Sequence, residues 1–281
     1  MFDAPPTTFD GPYAPAVAPP PRGAHALTVS EVEHYTIRLF RLRIDRPAGF
    51  RFRAGEFVMI ALPPLGGERP VWRAYSIASP AWTDHIEFLS IAVPGGPLTS
   101  RLVRVRPGDT VWMREKSTGT LVTDALMPGG RLLMLATGTG LAPFASVARD
   151  PETYERFDDV TIVHTVRERA ELRYGLDIAS AIAHGHDEEN ETLRELIDGR
   201  LSLVPTVTRE APGPGELTGR VTDLLRAGDL GGPLDPGRDR VMICGSAAML
   251  AETKAICEAA GLVEGSNARP GTFVIEKAFV G

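Results

Sequence analysis

Cysteine is nearly missing from this chain: its 281 residues include two, Cys244 and Cys257. With no CxxC pair and no group of four thiols, the chain has no cysteine set for an iron–sulfur cluster or a structural zinc, and a reducing cytoplasm is expected. An excess of positive charge is missing too. The formal net charge is −6, so bulk electrostatics give no reason to expect non-specific binding to nucleic acid or to an anionic membrane. The opening stretch MFDAPPTTFDGPYAPAVAPPPRGAHA has no basic leader and no continuous apolar run. It therefore reads as neither a signal peptide nor a membrane span, and residues 1–26 are expected to form an irregular Pro/Ala-rich arm. No Walker lysine follows any of the glycine-rich turns, so nucleotide hydrolysis is not indicated.

What is present suffices for two cores. Hydrophobic residues make up 43% of the chain and charged residues 23%, over a length that accommodates two domains of roughly 100–200 residues. Residues 27–128 read as short β-rich segments, among them EFVMIAL, AYSIAS, IEFLSIAV and DTVWMREK, separated by Pro/Gly joints such as PPLGGERP. Short alternating segments with such punctuation predict an antiparallel barrel. Within them GGPLTSRLVRVRPGD reads as a glycine turn and a short helix, whose free N–H groups can receive a phosphate. Over residues 129–281 the rhythm becomes strand, glycine turn, helix, as in RLLMLAT followed by GTGLAPFASVARD. Alternating β and α segments predict a parallel sheet that binds ligands at the carboxyl ends of its strands. Cys257 falls on an amphipathic helix and reads as core.

One short segment, RAYSIAS from Arg73, brings a cation, an aromatic ring and a hydroxyl together. In a strand Arg73 and Tyr75 share one face and Ala74 and Ser76 the other. A guanidinium suits phosphate oxygens and an aromatic face suits a flat heterocycle, so the first pair fits an anionic, planar ligand.

Six motifs in order carry a family resemblance: RAYS at Arg73–Ser76, GPLTSRL at Gly96–Leu102, GTGLAPF at Gly138–Phe144, VTRE at Val207–Glu210, CGS at Cys244–Ser246, and the ending IEKAF. Together they make everything after the arm resemble the bacterial-type ferredoxin/flavodoxin–NADP(H) reductases. The resemblance implies an FAD-binding antiparallel barrel followed by an NADP-binding α/β domain. It also implies hydride transfer at flavin N5, and electron transfer between NADP(H) and ferredoxin or flavodoxin. A cytoplasmic monomer is expected.

By that resemblance Arg73 pairs with the FAD pyrophosphate, Tyr75 packs against the isoalloxazine, Ser76 donates near flavin N5, and Ala74 belongs to the same FAD-binding set. Ser90, Ile91 and Ala92 line the isoalloxazine and ribityl region, Pro97, Leu98 and Thr99 meet the FAD phosphates, and Thr139, Ala278 and Phe279 complete the flavin site. Gly138 and Gly140 let backbone approach the NADP pyrophosphate, with Val166, Thr208, Gly245 and Ser246 also at the dinucleotide. Arg167, Arg209 and Arg220 form a cationic set that favours the 2′-phosphate of NADPH. Cys244 and Glu276 are placed beside the nicotinamide, neither as a covalent catalyst; with Ser76 they are the expected catalytic group. The chain departs from the plant members, which end on a tyrosine against the flavin: here Ala278 stands at that place and Phe279, Val280 and Gly281 follow.

Arg51, Arg53 and Lys116 are candidates for a basic docking face. A flavin reductase and an oxygenase reductase component remain alternatives, because both would use the same two domains; a non-enzymatic electron-relay subunit is a third, which loss of the arginine set would have favoured.

Overall fold

The computed structural model describes residues 19–64, 69–184 and 188–277. The first domain is built from β1 (Ala24–His34), β2 (Leu39–Asp45), β3 (Phe57–Ala61), β4 (Arg73–Ser76), β5 (His85–Ile91), the one-turn helix α1 (Thr99–Leu102) and β6 (Thr110–Thr118). β1 starts three residues inside the stretch read as an arm, because Ala24, His25 and Ala26 pair with Arg114, Met113 and Trp112 of β6. The six strands form one antiparallel sheet in the order β4-β3-β6-β1-β2-β5. Its two edges meet beyond β4, where Ala78 donates its N–H to the Glu87 carbonyl at 2.8 Å. Alternation along β2 sends Phe40, Leu42 and Ile44 inward, where they are fully buried with Ile60, Phe88 and Met113. Each such side chain contributes about 1.5–3 kcal/mol by leaving water.

The second domain continues with β7 (Gly129–Thr137), α2 (Leu141–Val147), α3 (Pro151–Arg156), β8 (Phe157–Val166), α4 (Arg173–His184), α5 (Glu188–Ile197), β9 (Leu201–Val207) and β10 (Leu217–Thr218). It ends with α6 (Val221–Ala227), β11 (Asp239–Gly245), α7 (Ala247–Ala259) and β12 (Phe273–Lys277). All strand pairs are parallel, in the order β10-β9-β8-β7-β11-β12. From β7 the chain first builds outward through β8 and β9 and then returns to place β11 on β7's other side, so the order reverses between β7 and β11. A crevice opens at the carboxyl ends of strands where such a reversal occurs. Two apolar layers cover the sheet: Phe144, Val147 and Tyr174 on one face, Val221, Leu225 and Met249 on the other. Cys257 is fully buried in the second layer.

The domains share a core. Leu39, Ala54 and Leu89 of the barrel pack into the layer that holds Leu141 and Phe144. Polar contacts fix the same junction. The buried Ser146 hydroxyl donates to the Ser79 carbonyl at 2.8 Å and Arg149 Nη2 to the Ala78 carbonyl at 2.7 Å. Glu87 of β5, 2% exposed, accepts from the Tyr174 hydroxyl at 2.7 Å on Oε1 and from Arg43 Nε at 2.7 Å on Oε2. Burial opposes its charge, but Arg149, Tyr174 and Arg43 outweigh burial and hold its carboxyl below the usual range.

Candidate functional site

Where the barrel's edge meets the switch point of the parallel sheet, a cleft of about 240 Å³ opens. It is lined by Phe57 of β3, Ala74, Tyr75 and Ser76 of the edge strand β4, Leu89, Ser90 and Ile91 of β5, Val93 and Thr99 from the turn and helix that follow, and Thr139, Ala142, Glu276 and Lys277 from the second domain. Three successive residues of β4 face it because β4 is the edge of its sheet, with β3 on one side only. The cleft therefore collects Ala74, Tyr75, Ser76, Ser90, Ile91, Thr99, Thr139 and Glu276 out of the expected set.

Tyr75 anchors the barrel side. Its ring is 9% exposed and meets Phe88 edge-on at 5.9 Å, while its hydroxyl lies 3.0 Å from Ser90 Oγ. Burial pushes the phenol up to about 12, with the Ser90 hydrogen bond and Arg73 opposing, so the ring is neutral and can donate. Arg73 does not line the cleft; its Nη1 donates to the Trp72 carbonyl at 2.9 Å, beside the edge. The turn expected to bind phosphate is a single helical turn. Leu98 sits before it with no side-chain cap, and Thr99 Oγ1 instead accepts from Val93 N–H at 3.1 Å. The Leu98 side chain belongs to the barrel core, so only its backbone can meet a ligand, whereas Pro97 is exposed and Ala92 half-buried.

The second domain contributes a tight glycine turn. Residues Gly138–Gly140 form a 3-10 turn between β7 and α2, with Gly138 at φ 54°. That left-handed backbone suits glycine. A Cβ on Gly140 would overlap the Cys244 carbonyl oxygen, so glycine is what lets this turn lie against β11. Pro143 occupies the third position of α2, compatible with an early turn. Ser246 caps α7 by accepting the Met249 N–H at 3.4 Å, and its own N–H donates to Thr137 Oγ1 at 3.2 Å. Gly245 is buried and Ser246 exposed at the mouth.

Glu276 crosses between the domains. Its Oε2 accepts the Thr120 N–H at 3.1 Å, and Thr120 Oγ1 donates to the Ile275 carbonyl at 3.1 Å. Burial raises the carboxyl to about 7, the Thr120 hydrogen bonds oppose this, and the nearby Glu56 charge adds to it. Cys244 is the direct cross-strand partner of Glu276 on β11, but its side chain is 1% exposed and does not line the cleft. Burial pushes its thiol well above the usual range, with Glu276 adding to the effect.

Two of the three expected dinucleotide arginines, Arg167 and Arg209, lie just beyond the ends of β8 and β9. Val166 O accepts from both Thr208 N–H at 3.1 Å and Thr208 Oγ1 at 3.0 Å, and Arg209 N–H reaches Arg167 O at 3.0 Å, bringing these four residues together. The Arg167 and Arg209 side chains are exposed. Arg220 follows Gly219, whose N–H donates to Val207 O, so it lies near the same edge; its Nη2 is paired with Glu252 Oε2 at 3.5 Å. Ala278 and Phe279 lie outside the described residues. Of the proposed docking cations, Arg53 is paired with Asp124 at 2.9 Å, while Arg51 and Lys116 are exposed. Residues that sequence reasoning passed over are Thr120 and Glu56, which hold or perturb Glu276, and Lys277, which lies within the quoted IEKAF.

Two domain families match the chain: an oxidoreductase FAD-binding domain over residues 25–121 and an oxidoreductase NAD-binding domain over residues 134–255. The chain is 49% identical over 275 residues to a flavodoxin/ferredoxin–NADP reductase of Rhodobacter capsulatus, covering 96% of this chain and 97% of that protein. It is 46% identical over 258 residues to a ferredoxin–NADP reductase of Pseudomonas aeruginosa, covering 90% and 96%. Among solved structures, a ferredoxin NADP+ reductase from Neisseria gonorrhoeae with bound FAD and NADP is similar at a TM-score of 0.80 and 30% identity, covering 92% of this chain and all of that one.

Proposed function

Because the chain belongs to the ferredoxin/flavodoxin–NADP reductase family, we propose that the cleft shared by Tyr75, Ser76 and Glu276 is where it carries out that family's reaction. The protein is an FAD-dependent oxidoreductase moving electrons between NADP(H) and ferredoxin or flavodoxin. FAD, when bound, supplies the ring that takes hydride and releases electrons singly. The convergence of both domains on the one cleft carries the residue-level reading, since it brings Tyr75 and Ser76 of the barrel and Glu276 of the second domain to one place, where they would hold a bound flavin and nicotinamide.

Each side chain then has a bounded task. Tyr75 offers an apolar wall and a fixed hydroxyl, Ser76 a hydroxyl at the cleft, and Arg73 a cation beside the edge. The Gly138–Gly140 turn brings backbone N–H groups to the dinucleotide, Ser246 stands exposed beside it, Arg167 and Arg209 select the 2′-phosphate, and Glu276 holds a proton near neutrality at the junction of the two domains. Cys244 lies behind this surface and packs under it. We also propose that the protein is a cytoplasmic monomer, a location supported by its two free, buried thiols.

The discriminating experiment is turnover of the FAD-loaded protein with NADPH and, in parallel, purified ferredoxin, purified flavodoxin and free FMN or FAD. Reduction of either protein partner at saturating rate supports the reading. Turnover with free flavin alone would make the chain a flavin reductase.

A further inference from the structure

His164 stands on β8 with 2% exposure, and its Nε2 lies 3.0 Å from the carbonyl oxygen of Gly138. A carbonyl only accepts, so Nε2 carries the proton and Nδ1 is left as an acceptor. Nδ1 is buried without a hydrogen-bond partner. Burial pushes the imidazole down to about 4, with the Gly138 contact opposing, so the ring is neutral at working pH. The side chain is thus an uncharged donor aimed from beneath the sheet's carboxyl end at one backbone oxygen.

That oxygen also accepts the Leu141 N–H that closes the 3-10 turn. In a trans peptide C=O and N–H point opposite ways. Pinning the Gly138 carbonyl toward β8 therefore turns the Thr139 N–H away from β8, toward the side of β7 on which β11 and the switch point lie. Gly138 is at φ 54° and a Cβ there would meet nothing within 4 Å, so side-chain packing at Gly138 does not fix the peptide. We propose that His164 is a positioning residue for the nicotinamide dinucleotide: it orients the Gly138–Thr139 peptide so that the turn presents N–H groups to the pyrophosphate. The inference rests on reading Gly138–Gly140 as the pyrophosphate turn.

The test compares His164→Phe, which keeps a flat ring without a donor, with His164→Gln, whose amide restores one, in FAD-loaded protein with ferricyanide as acceptor. His164→Phe is expected to raise the KM for NADPH about tenfold with kcat within about twofold, as for one lost ground-state hydrogen bond. Flavin content and visible spectrum stay unchanged, and His164→Gln recovers most of the loss. An unchanged KM in His164→Phe, or an equal rise in both variants, overturns the proposal, because a merely structural ring would not be rescued by an amide. If His164→Phe does not fold, His164→Met serves as the donor-free member of the pair. Gly138→Ala separates the underlying reading: its methyl meets no protein atom within 4 Å, but the left-handed backbone at φ 54° strains any residue with a Cβ, so the turn itself is perturbed. A raised KM there with no effect at His164 removes only the role of the histidine, whereas no effect of Gly138→Ala removes the pyrophosphate turn and the inference with it.

Discussion

Thr120 of the barrel domain gives its backbone N–H to Glu276 Oε2 at 3.1 Å, and through that bond the last strand of the second domain is tied to the loop after β6. The carboxylate that lines the cleft is therefore also an interdomain contact, and its protonation state bears on both chemistry and stability.

For Glu276 the sign follows from its raised pKa. An acid lifted from an ordinary 4.5 to about 7 by burial binds its proton more tightly folded than unfolded. Stability consequently falls as pH rises from 4.5 to 7, and above 7 the full cost is present, on the order of 3 to 4 kcal/mol at about 1.4 kcal/mol per pH unit. Glu276→Gln is expected to flatten this dependence in urea melts from pH 5 to 8. The same substitution is expected to remove any ionisation near 7 from the pH profile of hydride transfer followed by stopped flow.

Cofactor preference is expected to depend unequally on the three arginines. Arg209→Ala and Arg167→Ala each remove an exposed guanidinium and are expected to raise the KM for NADPH by about tenfold or more, as for a lost charge-assisted hydrogen bond, leaving NADH little changed. Arg220→Ala is expected to do less, because Arg220 is already engaged with Glu252. Equal effects on NADPH and NADH from Arg209→Ala would remove it from the 2′-phosphate site.

On the flavin side, Arg73→Ala is expected to weaken FAD binding by about 1.5–3 kcal/mol, the range for a hydrogen bond to a charged group. Tyr75→Phe leaves Ser90 Oγ without its partner and is expected to cost about 1 kcal/mol of fold stability. Flavin content after dialysis measures the first, and thermal melts of the FAD-loaded protein measure the second. Retention of stoichiometric FAD by Arg73→Ala at nanomolar protein would exclude a pyrophosphate contact.

Far from the cleft, Asp239 is fully buried at the start of β11 and accepts from Arg131 at 2.9 and 2.8 Å and from Arg238 at 2.8 Å. Burial opposes its charge, yet these hydrogen bonds hold its carboxyl at about 2. A depressed folded pKa gives stability that is complete above the ordinary 3.8 and lost as pH falls toward 2. Asp239→Asn is expected to cost about 3–5 kcal/mol at pH 7, as for one broken buried pair, and much less at pH 2. Denaturant melts at both pH values check the difference.

The fold could be read in the chain to the extent that each element punctuates itself. β7 and the turn at Gly138 follow from an apolar run meeting glycines, and α7 from its serine cap. The helix α3 went unread although Asp150-Pro151 carries a cap and a first-turn proline, since its six residues span too few turns for a periodic pattern. Among site residues, Tyr75, Ser76 and Thr139 were legible because short motifs hold them. Thr120 was not, because its meaning lies in a partner 156 positions away. His164 was passed over for another reason: within VTIVHTV it sits among apolar neighbours and reads as core, which it also is. Arg73 shows the limit of strand periodicity, since at the edge of a sheet neighbouring residues can reach the same cleft while the expected face partner does not.

Glu87 bears on modularity. A carboxylate that belongs by sequence to the barrel finds its phenol and one of its cations, Tyr174 and Arg149, in the other domain. Separating the halves, or grafting either onto a relative's counterpart, strands that charge at a newly opened apolar surface unless residues equivalent to Tyr174 and Arg149 travel with it. The two domains are thus not interchangeable parts joined by a tether, and the chain is expected to melt in one cooperative step.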